Sequence, residues 1–183
     1  EWDDSDRLVS RTDPLGRTTR YTYDELGNLT SITRPDGAVA TIAYNDLCLA
    51  TETVDFDGAV WRYTYDERGN LLAETDPTGA IVRYTYTDAS SSTADPDGSG
   101  NPGNGRSVTI TNPLGSTVRV ELDAAGLPTA ITDLRGATTR YRRDAHGRVV
   151  EITDPVGGVT TLRWAPDGSL ASRTTADGAT EHW

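Results

Sequence analysis

The sequence predicts an all-β fold of tandem antiparallel β-hairpins, and three observations carry that prediction. A glycine returns every 21 residues, an aromatic segment follows it at a fixed distance, and turn chemistry recurs so often that no helix fits between the turns. Gly16, Gly37, Gly58 and Gly79 stand 21 residues apart, and Gly115, Gly136, Gly157 and Gly178 resume the same step. Repetition at one fixed period is the mark of a repeat array. The unit reads D-P-x-G-x-x-x-x-Y-x-Y-D-x-x-G-x-L-x-x-x-T.

Each unit opens on a turn. Asp13-Pro14-Leu15-Gly16 and Arg34-Pro35-Asp36-Gly37 combine a proline that presets φ, an aspartate that bonds nearby backbone and a glycine that takes a positive φ. A strand follows: Arg17 to Tyr23 (RTTRYTY) and Trp61 to Tyr65 (WRYTY) are dense in the Thr, Tyr and Trp that favour a pleated surface. The column seven residues after the glycine holds Tyr23, Tyr44, Tyr65, Tyr86, Leu122, Arg143 and Trp164, with Trp2 ahead of them from a truncated unit. Next comes a second turn, as in Asp24-Glu25-Leu26-Gly27-Asn28 and Asp66-Glu67-Arg68-Gly69-Asn70, whose glycine column is Gly27, Gly69, Gly126, Gly147 and Gly168. Cys48 interrupts that column. A second strand closes on threonine, at Thr12, Thr33, Thr75, Thr111, Thr132, Thr153 and Thr174.

Two strands of about six residues and two turns of about four fill the unit, against about 11 residues for an average helix. Strands joined by such tight turns are antiparallel, since a parallel connection needs a crossover of about a dozen residues or more. The expectation is a meander of about 15 strands, roughly 70 Å wide at about 4.8 Å per strand, which has to curl or spiral into a partial β-shell. One alternative fold stays open: two units approach the length of a four-stranded propeller blade, although no WD-type signature is present.

The units are expected at 13–33, 34–54, 55–75, 76–111, 112–132, 133–153 and 154–174, with partial units at 1–12 and 175–183. The step between Gly79 and Gly115 is 36, and the surplus falls in an inserted loop at 88–106 that is rich in Ser, Asp, Gly and Pro. The chain starts on Glu1, contains no Met and stops on Trp183, so both ends read as cuts through a longer polypeptide whose further repeats would cover the open strand edges.

Composition narrows the function classes. The net charge is −11, which opposes binding to nucleic acid or anionic lipid. No apolar run approaches the roughly 20 residues that span a bilayer, so membrane insertion is not expected. The one cysteine, Cys48, cannot form an internal disulfide.

The segments Asp13-Pro14-Leu15-Gly16-Arg17-Thr18-Thr19-Arg20-Tyr21-Thr22-Tyr23-Asp24-Glu25-Leu26-Gly27-Asn28-Leu29 and Tyr63-Thr64-Tyr65-Asp66-Glu67-Arg68-Gly69-Asn70-Leu71 resemble the Rhs or YD-repeat proteins. That family includes bacterial Rhs toxins, wall-associated repeat proteins, the cocoon-forming subunits of Tc toxin complexes and the animal teneurins. The resemblance implies a strip of hairpins wound into a hollow shell, which in toxin members encloses a C-terminal effector. It implies secretion or display at a bacterial cell surface, with the rest of the parent polypeptide as the main partner. The aspartate-dependent self-cleavage motif of the shell-closing region is absent, so no autoproteolytic residue carries over.

The candidate residues are chiefly structural. Tyr21 with Tyr23, Tyr63 with Tyr65 and Tyr84 with Tyr86 are two apart in a strand, so each pair shares a face and is expected to build an aromatic ladder, in preference to a platform for cargo or sugar. Arg20, Arg62, Arg83, Arg119 and Arg140 fall on the opposite face by strand parity, where a solvated surface is expected in preference to a polyanion stripe. Asp95, Asp97 and Ser99 alternate like the opening of a calcium loop, but the closing Glu of such a loop would fall at Arg106, so only a weak calcium site is expected. His146, His182 and Cys48 lack zinc or nucleophile spacing, no cofactor motif is present, and enzyme activity is not expected. The expected role is a non-catalytic shell segment; the alternative is a surface module that grips glycans or cell-surface proteins through Trp61 and Trp164.

Overall fold

Every described turn between strands solves one problem, reversing the chain in three residues, in one way. In Asp13 to Arg17 the Gly16 N–H donates to the Asp13 carbonyl at 2.9 Å and the Asp13 N–H donates to the Arg17 carbonyl at 3.0 Å. This is a type I turn followed by a residue at positive φ, the arrangement of three-residue hairpin loops. Gly58 illustrates why glycine recurs: its φ is +84°, and an added Cβ would meet nothing within 4 Å, so the backbone angle alone selects glycine.

At Asp3, Asp13, Asp24, Asp66 and Asp144 the aspartate that opens the turn uses both carboxylate oxygens. Asp24 Oδ1 accepts the Leu26 and Asn28 N–H groups at 3.0 and 2.8 Å, while Oδ2 accepts the Asn28 side-chain amide at 2.9 Å. Asp144 repeats this with the Arg148 Nε at 2.8 Å in place of the amide. Where the first residue cannot serve, the third does: in the turns opened by Arg34 and Ala165, Asp36 and Asp167 accept the N–H of Ala38 and Ser169 at 3.0 and 2.9 Å.

The structure is a computed structural model that describes residues 1–88 and 106–183. Among the described residues it is all-β, with sixteen strands and no helix. They are β1 (Ser10–Thr12), β2 (Thr18–Tyr23), β3 (Leu29–Thr33), β4 (Val39–Tyr44), β5 (Ala50–Val54), β6 (Val60–Tyr65), β7 (Leu71–Thr75), β8 (Ile81–Asp88), β9 (Arg106–Thr111), β10 (Thr117–Leu122), β11 (Pro128–Thr132), β12 (Thr138–Arg143), β13 (Val149–Thr153), β14 (Val159–Trp164), β15 (Leu170–Thr174) and β16 (Thr180–His182). Their order in the sheet is their order in the chain, beginning at β1 and ending at β16. That unbroken order replaces the propeller alternative, in which the sheet would divide into blades of four strands.

Two compact units divide the chain, Glu1–Arg83 and Tyr84–Trp183. In the first, two kinds of ladder alternate. The β2/β3 hairpin has four pairs, Arg20↔Thr33 to Tyr23↔Leu29, and skips Thr30 as a bulge; β4/β5 and β6/β7 repeat it. The ladders β1/β2, β3/β4 and β5/β6 have three pairs each, such as Ser31↔Thr41 to Thr33↔Val39. In the second unit β10/β11, β12/β13 and β14/β15 carry the same bulge, and β11/β12 and β13/β14 the same three pairs.

The sheet is one layer thick. Its tyrosine face is half-buried, as in β2, where Tyr21 and Tyr23 are half-buried and Arg20 and Thr22 exposed. No described side chain is fully buried, and Ala130 is the one buried hydrophobic residue. Neighbouring strands, in place of a second layer, supply what cover the apolar side chains have.

Candidate functional site

In five of the three-pair ladders, β1/β2, β3/β4, β5/β6, β11/β12 and β13/β14, a side chain takes over where the pairing ends. In β3/β4 pairing ends at Ser31↔Thr41, and beyond it the Tyr44 hydroxyl donates to the Leu29 carbonyl at 2.9 Å. Tyr23 does the same to Leu8 at 2.9 Å and Tyr65 to Ala50 at 2.8 Å, each fifteen residues back in the chain. The bulge of the preceding hairpin leaves this carbonyl facing a neighbour that has already turned towards its next partner. A long side chain with a donor at its tip satisfies the carbonyl and wedges the two strands apart.

The second unit shows that the tip matters more than the ring. Trp164 Nε1 donates to the Val149 carbonyl at 2.8 Å, and Arg143, which interrupts the aromatic column, donates from NH2 to the Pro128 carbonyl at 3.2 Å, both again fifteen residues back. Leu122 has no donor, and there the ladder behaves differently: β9/β10 runs to five pairs, from Thr117↔Thr111 to Glu121↔Ser107. With no wedge to insert, the strands zip two pairs further.

Comparison with known proteins agrees with this architecture. A family model described as RHS Repeat matches residues 2–39, 49–81, 102–138, 123–159 and 143–180, more than half of the chain. The chain belongs to the RHS repeat family. No curated protein matches it. Among solved structures it is similar to the crystal structure of TcdB2-TccC3 without its hypervariable C-terminal region, at 17% identity and a TM-score of 0.50, with 98% of this chain and 12% of that chain covered. It is similar to TcdB2-TccC3-Cdc42 at 17% identity and a TM-score of 0.51, over the same shares. These likenesses show the fold, and this RHS segment spans about 12% of the length of the chains it matches.

Within each RHS unit the remaining predicted residues fall as follows. Tyr63 and Tyr65 are half-buried on one face of β6 with Arg62 exposed on the other. Tyr84 and Tyr86 are half-buried in β8, and the Arg106 guanidinium lies over the Tyr86 ring, 4.4 Å from its centroid. Arg7 and Arg148 similarly cover Tyr23 and Trp164 at 5.0 and 5.8 Å. On the opposite face Arg20, Arg62, Arg83, Arg119 and Arg140 are all exposed. Arg62 meets the cross-strand Glu52 at 3.0 Å, and Arg119 meets Glu121, two residues on in its own strand, at 3.4 Å.

Every described glycine of the two columns has a positive φ: Gly16, Gly37, Gly58, Gly79, Gly115, Gly136, Gly157 and Gly178 in the first, and Gly27, Gly69, Gly126, Gly147 and Gly168 in the second. Cys48 occupies the same left-handed region at φ +57°, as does Asp6 at +58°, a member of the column that sequence reasoning missed although it stands 21 residues before Gly27. Cys48 and His146 are exposed at turn tips. The calcium candidate Asp95, Asp97 and Ser99 lies outside the described residues, and among those described no group of three or more His, Cys, Asp or Glu could hold a metal ion.

The electrostatics follow the turns. The Arg17 guanidinium holds the Asp13 carboxyl below the usual carboxylate range; the Asn28 amide does so for Asp24 and the Thr78 hydroxyl for Asp76. Burial raises the phenols of Tyr44 and Tyr65 above their ordinary value, with Asp24 adding to the first and Tyr63 and Glu74 to the second.

Proposed function

We propose that this RHS segment is a stretch of wall in a hollow β-shell that encloses, or displays, a toxin or effector part of the same larger polypeptide, secreted by or held at the surface of a bacterium. The observation that carries the reading is the wedge. At Tyr23, Tyr44, Tyr65, Arg143 and Trp164 a side chain on the tyrosine face bonds a carbonyl fifteen residues back where the ladder has ended, always at the same end of the strands. A single-layer sheet whose strands are splayed repeatedly at one end has a built-in reason to curve, and a curved single layer encloses space that a packed globule fills with side chains. Its work is mechanical and involves no turnover. The likeness to TcdB2-TccC3, a solved protein with a hypervariable C-terminal region, supports a parent in which a constant shell precedes a variable cargo.

Limited proteolysis of the full parent polypeptide tests this reading. The region C-terminal to the repeats is expected to resist protease while the shell is folded and to be cut once denaturant opens it. Cleavage at the rate of the same region expressed alone would overturn the shell role.

A further inference from the structure

A repeat array supplies its own reference: at each column the other units show what the fold requires, so a cluster of departures marks a requirement of a different kind. Such a cluster lies in Glu1–Arg83. Arg11 stands in β1 where Ile32, Ile131 and Ile152 stand in their units. Arg17 stands where Ala38, Ala59 and Ala137 do, and Arg34 opens its turn where Asp13, Asp76 and Asp133 open theirs. All three arginines line one concavity of about 700 Å³, together with Thr19, Tyr21 and Asp36 among others. A fourth departure supports the third: Phe56 replaces the proline found at Pro14, Pro35 and Pro77, and the Arg34 guanidinium stacks on its ring, 3.5 Å from the centroid.

One of these departures gives up a contact that other turns make. With Arg34 in first position the turn lacks the carboxylate that at Asp13, Asp76 and Asp133 accepts two backbone N–H groups, and Asp36 restores one of them, from Ala38 at 3.0 Å. Arg11 puts a guanidinium into a column that holds isoleucine in four units and Thr53, Glu74 and Arg173 in the others, and here it faces the same opening as Arg17 and Arg34. Local rules broken together at one place are the pattern expected of a functional site.

The charge identifies the ligand class. Arg17 is held by Asp13, Nε to Oδ2 at 2.7 Å. Arg11 and Arg34 have no ion-pair partner within 4.0 Å among the described residues: the Arg34 plane rests on Phe56 and Arg11 acts on the Asp13 carboxylate from beyond that distance, so the N–H edges of both face the opening, beside the lining carboxylates Asp13 and Asp36. Two planar forks suit a dianion with several acceptor oxygens, and guanidinium is the group of choice for phosphate. The Tyr21 and Thr19 hydroxyls add donors at the same wall. The volume exceeds what a lone phosphate fills and lies in the range of small-molecule sites.

We infer that this concavity binds a phosphate group, free or carried as an ester on a small polar molecule, between Arg11 and Arg34. The site uses residues 11–36 and Phe56 alone and stands whether or not the segment forms a shell wall. Titration of the 183-residue chain with inorganic phosphate and with a hexose 6-phosphate, at low ionic strength and followed by amide NMR shifts, tests it. Saturable shifts at Thr19 and Tyr21 are expected with both probes. A tighter hexose phosphate would assign the rest of the volume to the sugar, and equal affinities would assign the site to phosphate alone. The double variant R11I/R34D restores residues the array already uses, so it is expected to fold at least as stably and to bind at least tenfold more weakly. R62S, on the opposite face, is expected to bind as the parent does. Equal binding by R11I/R34D, equal loss in R62S, or shifts no larger than chloride produces would overturn the inference.

Discussion

The Tyr44 hydroxyl lies 2.9 Å from the Leu29 carbonyl oxygen, joining residues fifteen apart in sequence across a gap where β3 and β4 no longer pair. Removing the donor leaves a part-buried carbonyl unsatisfied while the ring still holds water away. Y44F and Y65F are each expected to lower stability by about 0.5–1.5 kcal/mol. Y21F removes a hydroxyl from the same face that makes no such bond and is expected to change stability by under about 0.5 kcal/mol. Urea denaturation of the three variants checks this, and equal effects at Tyr21 and Tyr44 would contradict it.

Cys48 adopts φ +57° at a turn position that glycine fills elsewhere, and it is exposed. An L residue in this region costs roughly 1–2 kcal/mol. C48G therefore removes strain without removing packing, and an increase in stability of about 1 kcal/mol is expected in urea or thermal melts, less the entropy that glycine gains on unfolding. The opposite case is G69A: it combines φ +81° with a Cβ that would sit 3.2 Å from Leu49 Cδ1, and it is expected to destabilise more than G58A, whose Cβ has open space. A C48G variant no more stable than the parent, or G58A worse than G69A, would refute this account.

The array was legible in sequence because turns and strands are local: the glycine period, the Asp positions and the Thr- and Tyr-rich runs each specify their own few residues. The wedge was not legible in the same way. Tyr23, Tyr44 and Trp164 read as an aromatic column with Arg143 as drift, yet Arg143 makes the same fifteen-residue bond. What the column conserves is reach plus a donor tip, a property shared by Tyr, Trp and Arg that hydropathy does not register. The calcium reading of Asp95, Asp97 and Ser99 lies outside the described residues, and the arginine cluster at Arg11, Arg17 and Arg34 could have been found from sequence by asking which columns break together.

Asp123 opens its turn by accepting the N–H groups of Ala125 and Leu127, both at 2.9 Å. Asn112 does the same for Leu114 and Ser116 at 3.0 and 2.9 Å, so the turn asks for a carbonyl-type oxygen and not for charge. D123N is expected to stay within about 0.5 kcal/mol of the parent, whereas D123A leaves two backbone donors to water and is expected to cost about 1–2 kcal/mol. A urea series on the pair decides it: equal losses in both would mean that charge matters and the Asn comparison misleads.

Stability is expected to fall at both ends of the pH range for different reasons. Asp13, Asp24 and Asp76 have carboxyls held below their ordinary range in the folded chain, so their contribution is complete above about pH 4 and is lost as pH drops through the lowered values. Tyr44 and Tyr65 have raised phenols, so theirs is complete below about pH 10 and is lost as pH climbs through the raised values, when a phenolate can no longer donate to Leu29 or Ala50. Thermal melts across pH should show both limbs, and Y44F/Y65F should flatten the alkaline one alone. An alkaline limb unchanged in the double variant would place its cause elsewhere.

The longest between-hairpin ladder, β9/β10, meets the one described column residue without a donor, Leu122. If absence of the wedge is what lets Glu121 pair with Ser107, then supplying a wedge should undo the pairing. L122Y places a hydroxyl where Tyr44 and Tyr65 have theirs, fifteen residues after the Ser107 carbonyl. The expected result is loss of the last two pairs, Val120↔Val108 and Glu121↔Ser107, with Thr117↔Thr111 to Arg119↔Thr109 retained. Hydrogen exchange reads this directly: protection of the amides in the lost pairs should fall while Thr111 and Thr117 keep theirs. Y44L is the reciprocal experiment, in which β3 and β4 should gain protection beyond Ser31↔Thr41. Two variants with opposite signs separate a wedge from general destabilisation, since damage to packing would lower protection in both.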